Sequence, residues 1–121
     1  MPRPKIIWSD RESDIDKVTA ISGSGPAYFF LFLEHLISEA VKLGLKQKVA
    51  EELVYQTAFG SIDLLLKGKK SSRELRKIIA VKGGTTEAAI NIFERKSQFK
   101  KIIGHALYAA YNRSKKLGDN Q

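Results

Sequence analysis

A chain of 121 residues with 43% hydrophobic content has the length of one domain with a modest core. It contains no cysteine, which excludes disulfides and thiolate metal sites and fits a reducing compartment, and its two histidines, His35 and His105, cannot hold a metal without carboxylate help. Lys and Arg number 21 against 13 Asp and Glu, a formal net charge of +8, so an anionic partner has to be weighed.

The opening MPRPKIIWSDRESDID holds two prolines, a short apolar group and a run of acids. It reads as a loose arm over 1–17 with one short extended piece, which Trp8 staples to the rest. No basic segment precedes a sustained apolar stretch there, and the longest apolar run, 27–33, is far too short to cross a bilayer, so the expectation is a soluble, cytoplasmic protein with no membrane partner. The stretch 26–43 lacks glycine, begins with Pro26 and stops at Gly44, the punctuation of a first helix. Ahead of it, SGSG predicts a tight turn with Ser24 as the cap.

A second helix is predicted over 46–67, where Val49, Leu53, Ala58, Ile62, Leu65 and Leu66 recur at helical intervals and Gly68 ends the pattern; Gly60 within it suggests a close helix contact. Ser71 with Glu74 has capping-box spacing ahead of Leu75, Ile78 and Ile79, which marks a short third helix. After the turn KGGTT, 87–94 forms a fourth. A fifth begins at Ser97 and carries Phe99, Ile102, Ile103, Ala106, Leu107, Ala110 and Tyr111, followed by Gly118 and a polar tail over 119–121. The fold class is therefore all-α, a bundle of about five helices forming one domain over 18–118.

Basic residues concentrate in 67–82, where Lys67, Lys69, Lys70, Arg73, Arg76, Lys77 and Lys82 face the single acid Glu74. A solvated lysine-rich surface is favoured over a nucleic-acid interface, because no aromatic side chains interleave with the charges. Helix one raises another demand: Tyr28, Phe29, Phe30, Leu31, Phe32 and Leu33 point in every direction around its axis. Such a helix needs cover on all sides, and a second copy of the chain is the simplest source, so an interlocked homodimer is expected.

The glycine pair in ISGSGPAYFF fails as a dinucleotide fingerprint, because Tyr28 occupies the third glycine position and no βαβ unit follows. What remains at Ser22, Gly23, Ser24 and Gly25 is a set of backbone amides able to approach a small anion at a helix N-terminus. The turn VKGGTTEAA repeats this chemistry: Gly83 and Gly84 permit unusual backbone geometry, and Thr85 or Thr86 supplies a helix cap and a hydroxyl. It is no Walker loop, since Lys82 precedes the glycines. If the two turns met, they would suit a small carboxylate.

Taken together and in order, VTAISGSGPAYFF, LGLKQKVAEELVYQTAFGS, KGGTTEAAI and ALYAAYNRSKKLG resemble the C-terminal dimerisation domain of pyrroline-5-carboxylate reductase, over nearly the whole chain. The resemblance implies proline biosynthesis by hydride transfer from NADPH or NADH to the cyclic imine of pyrroline-5-carboxylate. It implies that the cofactor is reached only through a Rossmann domain that this chain is expected to lack, in a partner subunit or a separate cofactor-binding chain. It assigns the carboxylate of pyrroline-5-carboxylate or proline to the backbone around Gly83, Gly84 and Thr85, the imine nitrogen to the hydroxyl of Thr86 as the catalytic residue, and a wall of the pocket to Ser22, Gly23, Ser24 and Gly25. Val81 stands where a serine is common in the family, which removes one hydrogen bond to the carboxylate, while Lys82 adds a cation. No cofactor-binding or metal residue is expected in this chain, which alone should be inactive. The alternatives are an inactive self-associating remnant and a basic nucleic-acid-binding module. His35, His105, Tyr55 and Gln56 read as packed or surface residues rather than reacting groups.

Overall fold

The computed structural model describes residues 12–119. Among them are α1 (Glu12–Val18), α2 (Gly25–Lys42), α3 (Gln47–Lys67), α4 (Ser72–Ile79), α5 (Thr85–Glu94) and α6 (Gln98–Asp119). A π-helical turn, Thr19–Gly23, leads from α1 into α2, a 3-10 turn, Arg95–Ser97, separates α5 from α6, and no described residue lies in a strand. The all-α expectation holds. The described residues divide into two compact units, one made of 12–28 with 100–119, the other of Phe29–Phe99.

The first unit corrects the reading of the arm: the acidic stretch from Glu12 is helical. Its polar residues are satisfied within the helix. Lys17 pairs with Asp14 one turn back at 3.3 Å, and the hydroxyls of Thr19 and Ser22 donate to the carbonyls of Ile15 and Val18 at 2.8 and 2.9 Å. The hydroxyl of Ser114 donates to the carboxylate of Asp16 at 2.7 Å, tying α6 to α1. The extended piece and Trp8 fall outside the described residues.

A second correction concerns the turn before α2. Ser24 has helical dihedrals (φ −90°, ψ −24°), and its amide donates to the Thr19 carbonyl, five residues back, at 3.1 Å. The chain therefore winds through one wide π turn into α2 rather than bending sharply at a cap. The Tyr28 hydroxyl donates to the Ala20 carbonyl at 2.8 Å, satisfying an acceptor in that widened turn.

In the second unit, Ile37 of α2 packs with Ala50 and Val54 of α3, and Leu33 and Ala40 lie against them. Gly44 makes the connection with φ +116°, a conformation that side-chain-bearing residues rarely adopt. Gly60 does not mark a close contact among the described residues, because a methyl group built there finds nothing within 4 Å. Phe93 of α5 lies between Phe32 and Phe99, with ring centroids 6.4 and 5.4 Å away, while Arg76 of α4 pairs with Glu94 of α5. These contacts fix the α4–turn–α5 segment that carries the glycines.

The capping box at α4 forms as its spacing predicts. The Glu74 amide donates to the Ser71 hydroxyl at 3.1 Å, and the Ser71 amide donates to the Glu74 carboxylate at 3.4 Å. Replacing Ser71 with Ala removes an acceptor for an orphan amide and is expected to lower stability by about 1 kcal/mol. Urea unfolding followed by circular dichroism would detect this as a lower midpoint with an unchanged slope.

Candidate functional site

The turn at 81–84 is built by two backbone features. The Gly84 amide donates to the Val81 carbonyl at 3.0 Å, and Gly83, at the third position of that turn, has φ +77°. A positive φ at this position is what a type II turn requires, and glycine meets it without steric cost. Gly84 is constrained differently: a methyl group there would approach Val81 Cγ2 to 3.1 Å and the Val81 carbonyl oxygen to 3.2 Å. The second glycine is needed for room, since its own φ is −88°.

Gly84 is the N-cap of α5, in extended conformation and without a side-chain cap. Thr85 and Thr86 are therefore the first two helical residues rather than caps, a correction that changes what they offer. Their amides face the end of the helix with no acceptor among the described residues, as do their hydroxyls. Thr86 is half-buried and Thr85 exposed. The Gly84 amide, to which the resemblance assigned the carboxylate, is already bonded to Val81. Thus the amides of the first helical turn, Thr85, Thr86 and Glu87, are open donors among the described residues.

Sequence reasoning missed Glu87. Its carboxylate accepts from the Gly83 amide at 3.0 Å, closing the turn from the helix side. The signal was available, because Glu87 stands three residues after the N-cap Gly84, the spacing at which an acidic side chain reaches back to the preceding backbone.

Ser22, Gly23, Ser24 and Gly25 lie in the first compact unit, and 81–86 in the second. The Ser22 hydroxyl is committed to the Val18 carbonyl, whereas that of Ser24 has no partner among the described residues. Neither Gly23 nor Gly25 has a positive φ, and nothing lies within 4 Å of a methyl group built at Gly25. Backbone conformation is thus not the reason for glycine at these two positions.

The remaining polar residues stay apart from both turns' hydrogen-bond networks. His35, His105, Tyr55 and Gln56 are exposed. Among the described residues no group of three or more His, Cys, Asp or Glu could hold a metal ion, and no helix is long and apolar enough to cross a membrane.

A family model described as pyrroline-5-carboxylate reductase dimerisation matches residues 12–117. The chain belongs to that family. It is 42% identical over 113 residues to pyrroline-5-carboxylate reductase of Pseudomonas aeruginosa, covering 93% of this chain and 41% of that protein. It is 40% identical over 106 residues to pyrroline-5-carboxylate reductase 2 of Bacillus subtilis, covering 88% and 38%. The chain spans about two-fifths of the length of these relatives. Among solved structures, the Coxiella burnetii pyrroline-5-carboxylate reductase matches with a TM-score of 0.87 at 42% identity, covering 92% of this chain and 41% of that one. The Plasmodium falciparum pyrroline carboxylate reductase, solved with NADP bound, matches with a TM-score of 0.85 at 40% identity, covering 93% and 43%.

Proposed function

We propose that this chain supplies the dimerisation surface and the substrate-holding turn of a pyrroline-5-carboxylate reductase. Family membership over 12–117 gives the reaction class, and the observation that carries the reading is the open N-terminus of α5, where the amides of Thr85 and Thr86 follow a glycine turn and have no acceptor of their own. Amides in the first turn of a helix, at the positive end of its dipole, suit a small carboxylate. The carboxylate of the cyclic imine would sit there. Hydride addition to the imine carbon leaves its nitrogen needing a proton, and the Thr86 hydroxyl would hydrogen-bond that nitrogen.

The described residues do not fit a dinucleotide, since they include no strand and no βαβ unit. The hydride donor, NADPH or NADH, would therefore be held by another chain or domain. The partner in dimerisation would be a second copy. Phe29, Phe30 and Leu31 of α2 are 62%, 68% and 56% exposed, and a groove of about 710 Å³ runs between α2 and α3, walled by Phe30, Ile37, Val41 and Tyr55 with the polar Glu34, Ser38, Lys42, Gln47 and Glu51 beside them. A helix of a second chain would fill it.

Two measurements test the reading. The chain alone should leave NADPH unoxidised in the presence of pyrroline-5-carboxylate, and addition of a cofactor-binding chain of the same family should start the reaction. L-proline, titrated calorimetrically into the chain, should bind in the millimolar range or tighter. A chain that dimerises yet binds no proline at any concentration reached would reduce its role to self-association, the outcome that Val81 in place of a serine would favour.

A further inference from the structure

We propose that α4 and the turn between α5 and α6 form a binding surface for double-stranded DNA, one that engages the phosphate backbone without reading the base sequence. Four acids, Asp63, Glu74, Glu87 and Glu94, stand between 63 and 101, and each is engaged locally. Asp63 pairs with Lys67 at 3.0 Å, and Glu94 pairs with Arg76. The Glu74 carboxylate accepts from the hydroxyl and amide of Ser71, and that of Glu87 from the Gly83 amide. Lys69, Lys70, Arg73, Lys77, Arg95 and Lys96 are therefore left exposed with no acid partner among the described residues.

The fold gathers these cations. Arg73 and Lys77, one helical turn apart, share a face of α4 with Arg76, while Leu75, Ile78 and Ile79 take the opposite face. The Arg76–Glu94 pair brings the end of α5 to that basic face, and with it Arg95 and Lys96, which are distant in sequence. Like charges at such spacing repel, and a polyanion laid across them relieves the repulsion. Duplex DNA carries one negative charge per about 1.7 Å of its axis, so its backbone meets several of these cations at once. Six of the eight residues of α4 are exposed, which leaves the helix accessible over most of its circumference. An α-helix of about 10 Å diameter enters the major groove of B-form DNA, whereas that of duplex RNA is too narrow for it. No aromatic side chain lies among the cations, which excludes base stacking with single strands but not contact with phosphates. An acidic protein partner or a membrane surface would call for apolar side chains beside the charges, and on α4 those lie on the other face.

Two double variants of the full chain separate this surface from net charge alone. Arg73→Gln with Lys77→Gln removes two charges from the basic face; Arg113→Gln with Lys116→Gln removes two exposed charges from α6, in the other compact unit. Each chain is titrated into a fluorescently labelled DNA duplex of about 20 base pairs, and anisotropy is read from about 50 to about 200 mM salt. The wild type should bind in the micromolar range at the lowest salt, with log K falling against log salt at a slope of about −5, as six phosphate contacts require. The α4 variant should bind about tenfold more weakly or worse with a slope reduced by about 2, and the α6 variant should stay within about threefold of the wild type. Circular dichroism would establish that the helices persist in both. Absence of binding by the wild type at the lowest salt, or equal losses in the two variants, would overturn the assignment. So would tighter binding of an RNA duplex of the same length, or displacement of the labelled DNA by poly-L-glutamate as readily as by unlabelled duplex. Neither variant alters the turn at 81–86, so failure here leaves the reading of that turn as it stands.

Discussion

Replacing Phe30 with Glu is expected to convert a dimer into a monomer while leaving the helices formed. Phe30 is 68% exposed and lies in the wall of the groove between α2 and α3, beside Phe29 and Leu31, which are also more than half exposed. Against this surface the core is small: among the described residues Ala20, Ile37, Ala50 and Val54 are the buried apolar ones, and no large side chain is fully enclosed. Large apolar side chains exposed on several sides of one helix are not left to water in a stable monomer. Burial of a phenylalanine is worth roughly 1.5–3 kcal/mol, and a two-fold interface counts each substitution twice. The expected loss is therefore about 3–6 kcal/mol, or roughly 100-fold to 10,000-fold in dissociation constant, before the desolvation of two carboxylates is added. Sedimentation equilibrium at micromolar concentration should report twice the chain mass for the wild type and for Phe30→Leu, and the single mass for Phe30→Glu. A wild-type chain that sediments as a monomer, or a Phe30→Glu chain that remains a dimer, contradicts the assigned surface.

The helices were legible where a single residue dictates the local backbone. Gly44 ends α2 because its φ of +116° is open to glycine, and Ser71 with Glu74 starts α4 because both halves of the capping box form. Legibility failed where side chains that commonly break helices were satisfied inside one. The segment ESDIDKV looks like a loop by composition, yet it is helical, with Asp14 and Lys17 paired one turn apart and the hydroxyls of Thr19 and Ser22 in the following π turn satisfied by bonds back to carbonyls. No local pattern announces that turn, since a π turn differs from an α turn by one residue and is specified by what it satisfies, here the Ala20 carbonyl and the Tyr28 hydroxyl. The glycine turn at 81–86 was visible by type but not in its donors. Composition alone could not tell that the Gly84 amide closes the turn on Val81, leaving the amides of Thr85, Thr86 and Glu87 open, with the Glu87 carboxylate on Gly83.

Thr86→Val should separate the two jobs assigned to that residue. Valine has nearly the shape of threonine, so the half-buried position stays filled, and the backbone amide that would hold the carboxylate is untouched. Only the hydroxyl is lost. If that hydroxyl hydrogen-bonds the imine nitrogen as it takes up its proton, kcat in the reaction with a cofactor-binding chain should fall by about 100-fold or more, the usual scale for a positioned proton donor, while KM changes by less than about threefold. Thr86→Ser restores a hydroxyl on a more mobile stem and should recover most of kcat. Thr85→Val is the matched control: its side chain is exposed and its amide is the group in use, so kcat should stay within about threefold of the wild type. Circular dichroism of each variant would establish that the helices persist. A Thr86→Val chain with wild-type kcat would remove the hydroxyl from the chemistry and leave the turn as a carboxylate clasp alone, with the proton arriving from solvent or from the ligand's own protonated nitrogen.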